Sequence, residues 1–429
     1  MFQNIRKLWK TEDLRKKLIY TFLMLLLYCL VGQIYAPGIN IGLVRAFSGE
    51  NTLMGMLNMM TGGMTTQMTI MAMGISPYIN ASIIMQLLCI AIPYLERVQQ
   101  EPDGREKITR WTRYLTVILA AVQAIGLSSA YGFAQGAWNK ILVGVSMAGG
   151  SALAMWIGEK ITDKGIGNGI SLLIFVGIAG NLIEGIGARI GRLFSAFVGM
   201  ELVKLVVFLL TILVITVLVT FVDLGERRVP LQIAKQVKGR RVYGGQNTHM
   251  SLKVVSVGVL PLIFASSFLS FPSIIAQFTG TESGFAKWCN TWLNQTHWFY
   301  IVISTLLIVA FTFFYSSISF DAKKQAQQLI EQGATIPGTR GKNIESYLKR
   351  SVNRLNLFAA LFLAALNIVG SFMIKFATLY NADGDPIHQI PFAASSMLIA
   401  VSVALETIRT IQGEMSIRGI DTSKDNGFM

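Results

Sequence analysis

The sequence predicts an all-α polytopic membrane protein: ten transmembrane helices arranged in two inverted, pseudo-symmetric halves. Composition is the first observation behind this. Of 429 residues, 52% are hydrophobic and only 14% charged, and the mean hydropathy is +0.53, far from a soluble globular chain. The second is that mainly apolar runs long enough to cross a bilayer core, roughly 18 residues or more, occur ten times. The third is a repeat. Gly74 to Ser82 reads GISPYINAS and Gly258 to Ser266 reads GVLPLIFAS, sharing Gly, apolar, any, Pro, any, Ile, any, Ala, Ser.

The spans cover residues 18–36, 69–95, 114–134, 141–158 and 166–183, then 202–222, 254–278, 298–320, 355–376 and 391–411. Five crossings separate the two copies of the repeat, so the copies traverse the lipid in opposite directions, the mark of an inverted-topology repeat. Gly and Pro at matched places in two halves point to a pathway between them. The halves are expected at 1–183 and 184–429. Of the 37 Lys and Arg residues, 30 fall on the side of the N-terminus, which places both termini in the cytoplasm and accounts for most of the net charge of +14. The first apolar run ends in Tyr35-Ala36-Pro37 rather than a small-residue cleavage pattern, so it is expected to stay as the first helix.

Ion-coupled transporters carry a charge at membrane depth that binds or relays the driving ion. Here Lys204, Asp223, Lys375 and Glu406 all fall near span ends, where they can reach water. The interior offers amides instead: Asn80, Gln86, Gln123, Asn181 and Asn367. This pattern favours a passive conduit over the alternative class, a secondary transporter or lipid flippase. No nucleophile with a His partner, metal-ligand spacing or Walker-type loop points to catalysis. Cys29, Cys89 and Cys289 and the three histidines are scattered, so no enzyme activity and no cofactor are expected.

The charges lie in the loops. Residues 223–253 and 321–354 form two long basic connections on the cytoplasmic side, and long connections are commonly functional. The first clusters Arg227, Arg228, Lys235, Lys238, Arg240 and Arg241, more than orientation needs, which fits docking of an acidic partner such as ribosomal RNA or an acidic motor protein.

Four stretches then carry a family resemblance: MGISPYINASIIMQLL (Met73 to Leu88), ITDKGIGNGISLLIF (Ile161 to Phe175), GRRVYGGQNTHMSLKV (Gly239 to Val254) and GVLPLIFASS (Gly258 to Ser267). In order and over essentially the whole chain they resemble the SecY/Sec61-alpha family, the channel subunit of the Sec preprotein translocase. The resemblance implies a multi-pass protein of the bacterial plasma membrane that moves secretory polypeptides through a central pore. It also implies lateral release of apolar segments into lipid through a gate fronted by the second and seventh spans. Implied partners are SecE, which clamps the halves, SecG, and the SecA motor or the ribosome with its RNA.

Residue by residue, the family's pore ring falls on Ile75, Ile79, Ile170, Ile174, Leu260 and Ile263. The tenth span supplies Val403 or Ile399, although Ala404 occupies the position first aligned. The family's plug falls at about 53–69, with Leu53, Met56, Leu57 and Met60 in its helix and Gly62 and Gly63 at its end. Arg340 sits at the family's loop-tip arginine, although Gly341-Lys342 follows it where the family usually has Pro-Gly. At the gate, the family's asparagine on the seventh span is Val255, while Gln123 matches its polar cluster and Asn80 stands where a small Ser is common. An amide has therefore moved across the gate to the second span. On sequence alone, Asn80→Leu is expected to lower the hydrophobicity threshold for membrane insertion and added Val255→Asn to restore it.

Overall fold

The structure is a computed structural model, described over residues 11–40, 42, 44, 61, 63–65, 67–130, 132–195, 199–233, 236–238, 241–243, 247–255, 258–279, 283–294, 297–338, 343–377, 379–380, 386–388 and 394–417. Ten helices of sixteen or more residues lie among them, one on each expected span. They are α1 (Glu12–Val31), α2 (Ser76–Ala91), α4 (Gly104–Ala130), α5 (Ala137–Lys164), α6 (Gly169–Ser195), α7 (Gly199–Asp223), α8 (Leu260–Thr279), α10 (Trp298–Ser319), α12 (Asn343–Ala377) and α13 (Ala394–Ile417). Three shorter helices intervene: α3 (Pro93–Gln100), α9 (Gly284–Trp292) and α11 (Ala322–Glu331).

By length and composition four stretches can cross a membrane, Gly104–Ala130, Ala137–Lys164, Trp298–Glu331 and Asn343–Phe372, and α2 with the start of α3 makes a fifth. That fifth pair departs from a straight span: residues 70–75 form buried turns, and the helix bends by 108° before Pro93. Pro93 has no N–H to continue the ladder, and it drives Ile92 into an extended conformation, φ −109° and ψ 110°. α6 continues past the expected end of the first half at residue 183. Phe22, Leu23 and Leu30 on α1 and Leu213, Val217 and Phe221 on α7 are exposed; such apolar faces suit lipid rather than water.

The two basic loops fold together. Strand β1 (Glu226–Ile233) pairs antiparallel with β4 (Asn247–Lys253) and, on its other edge, with β5 (Ala334–Thr335) from the second loop. Val229 and Leu231 alternate inward while Arg228 and Pro230 face out, the period-two pattern of a half-buried strand. Beneath them Leu329, Ile336, Ile344 and Leu348 complete a small core of their own. A hairpin of β2 (Gln236–Lys238) and β3 (Arg241–Tyr243) extends from β1, and β6 (Leu379–Tyr380) pairs with β7 (Pro386–His388) between α12 and α13.

Polar contacts fasten selected helices. Asn367 donates to Ser304 at 2.8 Å and to Thr305 at 3.2 Å, and Asn356 donates to Ser316, joining α12 to α10. Lys17 on α1 pairs with Glu414 on α13 at 2.5 Å. Arg409 donates to the Asp223 carbonyl at 3.2 Å, tying α13 to α7.

Candidate functional site

Each copy of the repeat performs the same local task. Gly74 has φ +51° and Gly258 φ +64°, the left-handed region that glycine enters without steric cost. Two residues later a helix begins, α2 at Ser76 and α8 at Leu260. Pro77 and Pro261 occupy the second helical position, where a missing N–H breaks no intrahelical bond. At Gly74 the space is also needed, since a Cβ would lie 2.9 Å from Thr61 Cγ2. Both starts are buried, over 71–76 and 261–265.

One aliphatic cluster gathers around these starts. Ile75 and Ile79 reach it from α2, Ile174 from α6, Ile263 from α8, and Ile399 and Val403 from α13, all buried. The half-buried Ile170 and Leu260 pack against it. Every residue assigned to the pore ring thus arrives at one place, from both halves of the chain; Ala404 is half-buried and is not among the cluster's members. Ile83, Ile178, Met71 and Phe264 also belong and were not anticipated. Ile83 and Ile178 follow Ile79 and Ile174 by one helical turn, a spacing that would have identified them. An aliphatic cluster of this kind has no groups with which to solvate water or ions.

Leu53, Met56, Leu57, Met60 and Gly62, assigned to the plug, lie outside the described residues. Gly63 has φ +88° in a buried turn, a conformation that commonly ends a helix. The segment that follows is stitched beneath the cluster: Thr61 and Thr65 share a hydrogen bond of 2.7 Å, and Thr65 donates to the Ala72 carbonyl at 2.7 Å. Met64 and Met71 join the cluster itself.

The three residues assigned to the gate are all buried: Asn80 is 1% exposed, Gln123 5% and Val255 8%. Helices α2, α4 and α8, which carry or follow them, touch pairwise. Asn80 Oδ1 is enclosed without a hydrogen-bond partner. Leaving a buried acceptor unpaired costs roughly 1–3 kcal/mol.

On the platform formed by the two joined basic loops, Arg227 and Arg228 are exposed on β1, opposite Leu252 and Ser251. Lys238 and Arg241 are cross-strand partners at the β2–β3 turn. Arg240 and Arg340 lie outside the described residues. The Gly-rich stretch at 165–169 is a tight inter-helix turn. Asn168 Oδ1 caps α6 by accepting from Ile170 and Ser171 N–H at 3.1 and 3.3 Å, and a Cβ on Gly169 would lie 2.0 Å from the Gly158 carbonyl oxygen.

A family profile described as SecY matches residues 69–408. The Streptomyces galbus protein named Protein translocase subunit SecY is 38% identical, with 98% of this chain and 99% of the relative covered. This chain belongs to the SecY family. A SecY relative from Halalkalibacterium halodurans is 37% identical over 97% of this chain and 98% of its own. The fold agrees with solved SecY-like structures. One described as "The structure of a protein conducting channel" has a TM-score of 0.70 at 20% identity, with 96% of each chain covered. Canine Sec61 in a ribosome-channel complex has a TM-score of 0.66 at 18% identity, again with 96% of each covered. SecY membership together with the apolar helices makes this a multi-pass membrane protein.

Proposed function

We propose that this SecY chain is the protein-conducting subunit of a Sec translocase in a bacterial plasma membrane, crossing it ten times with both termini cytoplasmic. Secretory polypeptides pass through the aliphatic throat in an unfolded state, and sufficiently apolar segments leave sideways between α2 and α8, because lipid solvates them better than the pore does. The observation that carries this is the convergence of Ile75, Ile79, Ile174, Ile263 and Val403 from four helices and both halves into one cluster at the starts of the two repeat helices. At rest the cluster acts as a gasket, and the segment at about 53–69 serves as its plug.

The chain itself performs no catalysis. Driving force comes from a cytoplasmic partner, the SecA motor or a translating ribosome, docked on the platform through Arg227, Arg228, Lys238, Arg240, Arg241 and Arg340. SecE clamps the two halves from the lipid side, and SecG accompanies it. Depleting the chain from cells that lack a second channel tests the reading. Secretory precursors should accumulate with their signal sequences uncleaved; normal export under depletion would overturn it.

A further inference from the structure

The short helix α9, between the gate helix α8 and α10, has three distinct sides. Ala286, Cys289 and Leu293 are buried against Leu269 and Ala276 of α8 and Tyr300 of α10. Lys287, Asn290 and Thr291 are exposed on a second side. The third is aromatic: Phe285 is 41% exposed, Trp288 44% and Trp292 36%, and Trp298 at the start of α10 adds a fourth ring at 62%. At about 100° per residue, positions 285, 288 and 292 share one edge of a helix. The rings support one another: Phe285 stacks on Trp288 with centroids 6.5 Å apart, and Trp292 meets Trp298 edge-on at 6.4 Å; Phe299, which packs on the buried side, backs Trp288 and Trp292 at 6.2 and 5.5 Å.

α9 lies at the end of α8 and α10 remote from the basic platform, since α8 starts just after β4 and α10 ends just before α11. Its aromatic edge continues the exposed apolar faces of the neighbouring membrane helices, Ile275 and Phe278 on α8 and Val302 and Leu306 on α10. The last two follow Trp298 at successive four-residue steps. A stripe that runs from lipid-facing aliphatics into Trp and Phe, with Lys and Asn beside it, matches the transition from acyl chain to headgroup, where amphipathic rings are favoured.

We propose that α9 is an interfacial anchor whose Phe285, Trp288, Trp292 and Trp298 edge inserts among phospholipids of the leaflet opposite the platform. This is independent of the pore and gate assignments, since it needs only the membrane. Ser283 caps α9 by accepting from Ala286 N–H at 3.1 Å, and the Cys289 thiol reaches the Pro272 carbonyl of α8 at 3.8 Å. The anchor is thereby fixed to the outer end of α8, and any displacement of α8 drags aromatic rings through the interface.

The test uses the full chain with its partner subunits in phosphatidylglycerol–phosphatidylethanolamine vesicles. Nitroxides are attached at Phe285→Cys, Trp288→Cys, Lys287→Cys and Asn290→Cys, each alone, with the three native cysteines replaced by Ala. Labels at 285 and 288 should collide severalfold more with oxygen than with a water-soluble nickel chelate, and labels at 287 and 290 the reverse. Equal nickel access on both edges, or exclusion of both reagents from 285 and 288 by a protein partner, overturns the proposal. A second reading keeps the native cysteines, since it uses no thiol chemistry. Benzoylphenylalanine at position 288 should photocrosslink to phospholipid; a protein adduct, or no adduct, overturns the proposal.

Discussion

Replacing Asn80 by leucine removes the one amide on the α2 side of the proposed gate and spares the helix around it, because Leu is a good helix former. The magnitude follows from the closed structure. Asn80 is 1% exposed and its Oδ1 has no hydrogen-bond partner, so the closed state carries a penalty of roughly 1–3 kcal/mol. Opening the seam relieves that penalty, because water or a passing peptide can then donate to the oxygen. Asn80→Leu therefore stabilises the closed seam and raises the threshold, opposite to the direction expected from sequence alone. Polar contacts between membrane helices are measured at roughly 0.6–2 kcal/mol, so about 1–2 kcal/mol is a reasonable shift. Each leucine in a translocating segment contributes roughly 0.3–0.6 kcal/mol towards insertion. The threshold should therefore rise by about two to seven leucines in a graded Leu/Ala series, scored by the fraction of test segments inserted. Adding Val255→Asn should return an amide to the seam and restore most of the original threshold. A threshold that stays put, or falls, in Asn80→Leu refutes the reasoning.

Changing Ile79, Ile174 and Ile263 together to Ser removes about three methylene equivalents per site, about 2.4 kcal/mol of apolar burial each, or about fifty-fold per site in favour of a wetted throat. Planar-bilayer conductance at rest should rise sharply, while Ile174→Val should stay closed; an unchanged conductance in a folded triple variant rejects the seal. Deleting residues 53–62 should leave a folded channel that leaks at rest, and a tight deletion variant would remove that segment from the plug. Arg340→Glu should impair partner-driven translocation without altering thermal stability, since a single loop charge of the kind the sequence implies contributes little to folding but can dominate docking; full activity with full partner affinity would exclude it.

The helices were legible because lipid imposes a length and a composition that few other constraints disturb, and each expected span holds one long helix. The repeat was legible for a sharper reason: a glycine with positive φ followed three residues on by proline encodes a helix start, and both copies use it that way. The platform was not. Arg227 pairs with Leu252 and Gln232 with Thr335, and partners so distant leave no local trace. Only the Arg228-Val229-Pro230-Leu231 alternation hinted at a strand. α9 escaped because nine residues carrying Gly, Lys and Asn do not rise above loop composition. The break at Pro93 was visible as a residue, but its 108° consequence depends on how α3 and α4 meet.

Amides inside the bundle differ in what their donors do rather than in their oxygens. Asn356 and Asn367 each donate at least one hydrogen bond from α12 to α10, and Asn356 keeps that bond although its own Oδ1, like that of Asn80, is buried without a partner. Asn80 stands on α2, a helix that touches both α4 and α8, and its oxygen is without a partner. A buried polar group with a partner adds to the work of separating two helices; one without a partner subtracts from it. The seam between α2 and α8 is accordingly easier to open than its apolar packing alone implies. The Lys17–Glu414 pair, by contrast, adds an attraction between α1 and α13. A polar tie between one pair of helices from the two halves, beside an unpaired amide oxygen at another, is the asymmetry that sideways release of a segment into lipid would use.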